Sequence, residues 1–365
     1  IMTEKPRVLI LGGTGFLGRN LVRYLVKNDL VSLVRASDKS KPEMSWLSPE
    51  DLQMYSNPPV EYIMSNLCSA QSVEKAFTLP DGKQFDVVID LATVGPYGQE
   101  PEYYDQKVLQ IARLCGAEAL KRKIPKWIEV STAQVYKDDA KPSTESSKLK
   151  PWTALAKAKL EAEKVLTEMK LPIIIVRPAI VYGPGDVTGL MPRLVIGAVY
   201  KKMGDEMKLL WTGDLAINTV HVSDACRAIW FVQEKGKIGE IYNLADSNKT
   251  TQEKVSSIIS KIFGIKTGFA GSVVSNFAKM NFKKVVDDVN DTHMQPWGEI
   301  TAENNISRTP LSPFLDPELL YKTPLSIDGN KITQLGFKYE VPAPTQENLT
   351  ESIRYWQEIH AFPPI

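Results

Sequence analysis

The densest group of residues able to do chemistry is Gly12-Gly13-Thr14-Gly15-Phe16-Leu17-Gly18. It follows the apolar run Arg7–Leu11 and opens Leu17–Lys27, in which Leu17, Leu21, Tyr24 and Leu25 recur at helical spacing. A strand that breaks into glycines and resumes as a helix suits a phosphate cradle. Glycine permits the tight turn, the close approach of a pyrophosphate and close helix–strand packing, while the helix N-terminus presents its N–H groups to the anion. The loop therefore predicts a dinucleotide site. The end of the second strand should choose the dinucleotide, because an acid there bonds the ribose 2′-OH of NAD and an arginine accepts the 2′-phosphate of NADP. Arg35 directly follows Leu33-Val34, Lys39 and Lys41 stand nearby, and Asp38 comes late. NADP is the expected cofactor, with NAD as the alternative.

The other reactive side chains form no pattern. Cys68, Cys115 and Cys226 are odd in number and far apart, His221, His293 and His360 are equally scattered, and no metal-ligand spacing occurs. With 24% charged residues and a formal net charge of +1, nothing points to nucleic acid or an anionic membrane. No apolar run approaches the ~20 residues of a membrane span, and no signal-peptide pattern is present. A soluble, cytoplasmic protein is the expectation. Ile1 ahead of Met2 reads as a cloning remnant, with the native start at Met2.

The elements that would position the loop read as an alternating α/β chain. Strands are predicted at Arg7–Leu11, Leu30–Val34, Val60–Met64, Phe85–Leu91, Trp127–Val130 and Ile173–Arg177, with helical stretches at 101–122 and 153–170 between them. Near-continuous apolar strands alternating with helices predict a parallel sheet covered on both faces, a doubly wound Rossmann fold. The expected division is a dinucleotide-binding domain over 2–182, to which residues 214–245 return, and a smaller mixed C-terminal substrate lobe over most of 183–365. In that lobe the expectations are a helix at 190–203, short strands near 208–211 and 241–244, and an amphipathic helix at 345–360. Residues 137–150 read as a surface loop, and 265–310, with little periodicity, as an insertion or lid-like region.

Further motifs carry a resemblance. After the glycine loop come Asn66-Leu67, Asp90-Leu91-Ala92-Thr93, Val130-Ser131-Thr132-Ala133-Gln134-Val135-Tyr136, Arg177-Pro178-Ala179-Ile180-Val181-Tyr182-Gly183-Pro184, His221-Val222 with Asp224, and Tyr242-Asn243-Leu244. Their order over roughly residues 5–250 resembles the extended short-chain dehydrogenase/reductase superfamily, of the NAD-dependent epimerase/dehydratase type. The 182–224 stretch looks nearest the 3β-hydroxysteroid and sterol dehydrogenase branch, and Ile332–Tyr339, with Leu335-Gly336-Phe337, looks like a segment of nucleotide-sugar and 3β-hydroxysteroid members. The resemblance implies that Gly12, Gly13, Thr14, Gly15, Phe16, Leu17, Gly18, Arg35, Asn66, Leu67, Leu91, Ala92, Thr93, Lys159 and Pro178 bind the cofactor. It also implies a cleft closed by the second lobe and a homodimer packed through the helices near 101–122 and 153–170.

In that family a Ser/Thr, a Tyr and a Lys exchange the proton while hydride moves to or from the nicotinamide. Thr132 matches the hydroxyl, and Lys159, with Lys157 as its rival, matches the lysine. The tyrosine is missing: Leu155 stands four residues before Lys159, Thr153 four before Lys157, and no Tyr lies between Tyr136 and Tyr182. Leucine moves no proton, a step that typically contributes about 10²–10⁴-fold. Three readings stay open: another proton carrier, with Tyr97, Tyr136 and Tyr182 as candidates; chemistry that needs none; or a silent NADP(H)-binding sensor or partner-binding module. The expected enzyme reaction is oxidation of a secondary alcohol on a nucleotide-sugar or sterol-like small molecule. Trp46, Trp152, Trp211 and Trp297 are candidate cleft aromatics.

Overall fold

Runs such as Val8-Leu9-Ile10-Leu11 and Val87-Val88-Ile89 have no polar side, so the strands they form must be covered on both faces. The computed structural model describes residues 4–92, 95–138, 141–271 and 282–365. Its strands are β1 (Arg7–Leu11), β2 (Leu33–Asp38), β3 (Val60–Met64), β4 (Val87–Asp90), β5 (Trp127–Val130), β6 (Ile173–Pro178), β7 (Ile180–Tyr182), β8 (Met207–Leu209), β9 (Thr219–His221), β10 (Ile241–Leu244) and β11 (Thr267–Phe269). Seven of them form one sheet, ordered β10-β6-β5-β4-β1-β2-β3, and every neighbouring pair is parallel. The fold is the doubly wound Rossmann type. The chain runs outward from β1 through β2 and β3, then restarts at β4 on the other side of β1. The crevice at that reversal, beyond the carboxyl ends of the strands, is where such sheets bind ligands.

Alternate side chains feed two cores. On one face Val8, Ile10, Val34, Ala36 and Ile128 pack with helices Phe16–Lys27 and Val222–Lys235. On the other, Leu9, Leu11, Val88, Trp127 and Ile173 pack with helices Gln110–Lys121 and Ala154–Glu168. A third core, containing Leu194, Phe263, Trp297 and Trp356, joins helices Met191–Met203, Gln252–Phe263, Phe282–Glu303 and Gln346–Glu358. No helix among the described residues is long and apolar enough to cross a membrane.

Two local expectations are corrected. The second strand lies at Leu33–Asp38, later than Leu30–Val34, because β1 pairs Arg7 with Leu33 and Leu11 with Ser37. That register puts Val34 and Ala36 into the core. Much of 282–303, within the stretch without clear periodicity, is a helix. Phe282, Val286, Trp297 and Ile300 are buried along its 22 residues, too few and too widely spaced to read as a helical period, and Pro296 lies inside it. The 137–150 loop is tied to the protein by bridges between Tyr136 and Leu149 and between Ser143 and Ile327. Glu145 also accepts from the Asn243 N–H at 2.8 Å.

Candidate cofactor and substrate cleft

The glycines have separate tasks. Gly12 has φ of +79°, and a Cβ there would lie 2.8 Å from the Leu91 carbonyl carbon. At Gly18 a Cβ would lie 2.2 Å from the Gly12 oxygen, so the helix starts in contact with the turn. Gly15 differs: only the Gly12 oxygen, at 3.3 Å, approaches its Cβ position, and Gly15 lines the cleft. The protein leaves that side open, as a pyrophosphate cradle requires. Gly12, Gly15, Phe16, Leu17 and Gly18 line the cleft. Gly13 packs on Ala36, and buried Thr14 is directed at the 38–45 segment, donating from its hydroxyl to the Ser40 carbonyl at 3.4 Å.

Arg35 is corrected by the strand register. It sits inside β2, buried, and its side chain lies over the Phe85 ring on the Leu9 face of the sheet, opposite the Ala36 side on which Gly13 packs. It is held by Glu61 at 2.8 Å and by the carbonyls of Ala76 and Thr78 at 3.1 and 2.6 Å. A guanidinium with these partners is unavailable to a 2′-phosphate. The residue that ends β2 is Asp38, half-buried, whose carboxylate accepts the Thr14 N–H at 3.1 Å and the Ser40 N–H at 3.3 Å. An acid, not an arginine, therefore ends the second strand.

Around the continuation of the cleft stand Thr132, Leu155, Lys159 and Pro178, in a cavity of about 400 Å³ shared with the glycine loop. Thr132 follows β5, and its oxygen accepts the Gln134 N–H at 3.2 Å, which leaves the hydroxyl proton for another acceptor. Lys159 is buried on helix Ala154–Glu168 and donates to the Val130 carbonyl at 2.6 Å. Burial lowers its pKa, opposed by the charges of Glu129, Asp90 and Glu163. Asp90 and Glu129 are paired neighbours on β4 and β5, so the ammonium closes a buried acid pair. Leu155, one turn earlier on that helix, is buried in the sheet–helix core. Tyr97 reaches the same cavity. Its hydroxyl accepts from Gln134 Nε2 at 3.0 Å, and Gln134 Oε1 accepts from the Thr153 hydroxyl at 3.0 Å. Burial pushes the Tyr97 phenol up to about 12, against the lowering effect of Gln134.

The family model for the NAD dependent epimerase/dehydratase family matches residues 8–245 of the 365. This chain belongs to the NAD-dependent epimerase/dehydratase family. Homo sapiens dTDP-D-glucose 4,6-dehydratase is 24% identical over 96% of this chain and 90% of its own length. An Arabidopsis thaliana trifunctional UDP-glucose 4,6-dehydratase/UDP-4-keto-6-deoxy-D-glucose 3,5-epimerase/UDP-4-keto-L-rhamnose-reductase is 24% identical over 78% of this chain, which spans only 44% of that enzyme. Among solved structures, Streptomyces venezuelae dTDP-glucose 4,6-dehydratase with NAD and TYD bound shares the fold, with TM-score 0.70, 20% identity and coverage of 96% and 97% of the two chains. These likenesses lie with sugar-nucleotide enzymes by name, and none of them marks a sterol dehydrogenase branch.

Within the family pattern, the remaining sequence candidates divide. Leu91 lines the cleft, whereas Asn66 is exposed and folds its side chain onto the Cys68 N–H at 3.2 Å, and Leu67 is buried in the core. Ala92 is half-buried beside the cleft wall, and Thr93 lies outside the described residues. Lys157 is exposed, and Thr153 caps the helix by accepting from the Ala156 N–H at 3.0 Å. Tyr136 is structural: its hydroxyl donates to Asn243 at 2.7 Å and accepts from Arg177 at 3.0 Å. Tyr182 is fully buried, edge-on to His221. Trp152 and Trp211 line the cleft; Trp46 borders Arg19, and Trp297 packs on Phe362. Sequence reasoning missed Gln134, whose placement inside Thr132–Tyr136 was its one available signal, and it missed Arg193.

Proposed function

We propose that this protein is an NAD-dependent oxidoreductase that exchanges hydride, in net or transient form, with a secondary alcohol or the corresponding ketone. One observation carries the reading: the glycine cradle, Thr132, Lys159 and Tyr97 surround one continuous cavity. The open side of Gly15 and the acid at the end of β2 fit the dinucleotide, and fit NAD better than NADP. NAD supplies the hydride acceptor or donor when bound. The protein residues do the rest. The loop and the helix N-terminus take the diphosphate, and Asp38 takes ribose hydroxyls. Thr132 donates to the substrate oxygen. Lys159 supplies positive charge beside the site, balanced by Asp90 and Glu129. Tyr97 replaces the proton carrier that Leu155 cannot be. A phenol is protonated at neutral pH, and burial pushes this one further up, so Tyr97 suits donation to a ketone better than proton abstraction from an alcohol. Nucleotide sugars are the class named for the relatives and supply one group of ketones to test.

Leu155 favours a second reading, a cofactor-binding sensor without turnover. Both are tested by following NADH oxidation with a panel of nucleotide 4-keto-sugars and simpler cyclic ketones. Turnover that falls about 10²-fold in Tyr97→Phe, with NADH affinity unchanged, is the expected result. Turnover indifferent to Tyr97→Phe removes Tyr97 from the mechanism. Tight NADH binding without turnover of any ketone selects the sensor.

A further inference from the structure

Hydride chemistry accounts for one end of the cleft and leaves the other unexplained. There the wall is built from Ile196, Leu209, Trp211 and Ile217, and at the rim Phe314 and Tyr321 remain 53% and 48% exposed. One fixed cation lines this apolar chamber: Arg193, in the first turn of helix Met191–Met203. Its guanidinium has no hydrogen bond or ion pair among the described residues. Arg193 is half-buried, and the contrast with the buried arginines is sharp. Arg19 bonds the Gly15, Trp46 and Ser45 carbonyls and the Tyr355 hydroxyl. Arg177 is paired with Glu163 and Tyr136. Asp186 is the carboxylate that acts on Arg193 electrostatically. Its oxygens accept the N–H groups of Gly189, Leu190 and Met191 at 2.6–3.0 Å, so it shapes the turn that delivers Arg193 and attracts it through space while leaving the guanidinium N–H donors free. Burial lowers the Arg193 pKa, yet a guanidinium stays charged at neutral pH. A half-buried guanidinium in an apolar wall with no hydrogen-bond acceptor beside it keeps its donors free, so a ligand that supplies the acceptor gains what the free protein lacks.

We propose that Arg193 receives an anionic group of the substrate, and that the substrate body beside it is apolar: an aromatic or alicyclic carboxylate, sulfate or phosphate ester that bears the secondary alcohol or ketone. The inference rests on the reading that this cavity presents substrate to the cofactor, and it replaces the nucleotide sugar as the substrate class. Apolar walls reward such a body through burial. Arg193 then supplies one charge-assisted bond that fixes its orientation.

Calorimetry on the whole chain, with and without saturating NADH, tests this with 2-naphthoate, its uncharged isostere 2-naphthamide, and UDP. The expected result is naphthoate binding about tenfold or more tighter than naphthamide. In Arg193→Met the preference collapses to about twofold, with naphthamide and NADH affinity retained, and Arg193→Lys restores part of it. Three results overturn the proposal: UDP binding tighter than naphthoate, a carboxylate preference that survives Arg193→Met, or no binding of either naphthalene probe. Absent NADH binding with intact probe selectivity would instead refute the cofactor reading.

Discussion

Asp38 makes a quantitative prediction about cofactor choice. Its carboxylate is held by the N–H groups of Thr14 and Ser40 at 3.1 and 3.3 Å, so it cannot swing away from a bound ribose. A carboxylate has about four acceptor sites, and the two left over suit ribose hydroxyls. Charge-assisted bonds of this kind are each worth about 1.5–3 kcal/mol. A 2′-phosphate brought within about 5 Å would instead meet like charge, costing about 3 kcal/mol per unit charge at an effective dielectric of 20, and less once salt screens the half-buried group. Even with heavy discounting, NADPH should bind about 100-fold weaker than NADH. Asp38→Asn removes the charge and one acceptor. NADH should weaken about tenfold, NADPH should change little or improve, and the ratio should shrink to about 10. Isothermal titration of both nucleotides into cofactor-free wild type and variant reads the ratio directly. Wild-type binding of NADPH as tight as NADH would refute the reasoning, because Arg35 is already committed and the phosphate would have to be received by Lys39 or Lys41.

Two further predictions follow from the loop and from a buried acid. Gly18→Ala forces a methyl to 2.2 Å from the Gly12 oxygen, whereas Gly15→Ala meets the same oxygen at 3.3 Å; the first should lower both the melting temperature and NADH affinity, the second NADH affinity alone, about tenfold or more, measured by thermal unfolding and NADH fluorescence titration. Burial, opposed by the Thr219 hydroxyl and the Asn248 N–H, raises the Asp246 carboxyl to about 6. The folded state then binds the proton more tightly than the unfolded chain, so this contribution to stability is full below about pH 4 and is lost as pH rises through 6. The urea-unfolding stability of wild type relative to Asp246→Asn should fall by about 1–3 kcal/mol between pH 4 and 7, and a flat difference would show that Asp246 titrates normally.

What the sequence determined by itself was the local architecture. A parallel sheet buried on both faces needs continuous apolar strands, and a phosphate turn needs glycines at fixed positions, so β1, β4, β5 and the 12–18 loop were legible from residue types alone. It was equally plain that Leu155 stands four residues before Lys159 and that no tyrosine lies between Tyr136 and Tyr182. What the sequence could not determine was register and pairing across distance. Leu30–Asp38 is apolar enough to pair with β1 in more than one alignment. Only the observed pairing, with Val34 and Ala36 inward, buries Arg35 under the sheet and brings Asp38 to the strand end. The helix Phe282–Glu303 gains its stability from helix Met191–Met203 and the core around Trp297, not from its own weakly amphipathic pattern. Tyr97 and Gln134 lie 37 residues apart and meet only because β4 and β5 are neighbours. Arg193 becomes notable only in three dimensions, since a cation without a partner is a property of everything packed around it and not of the arginine.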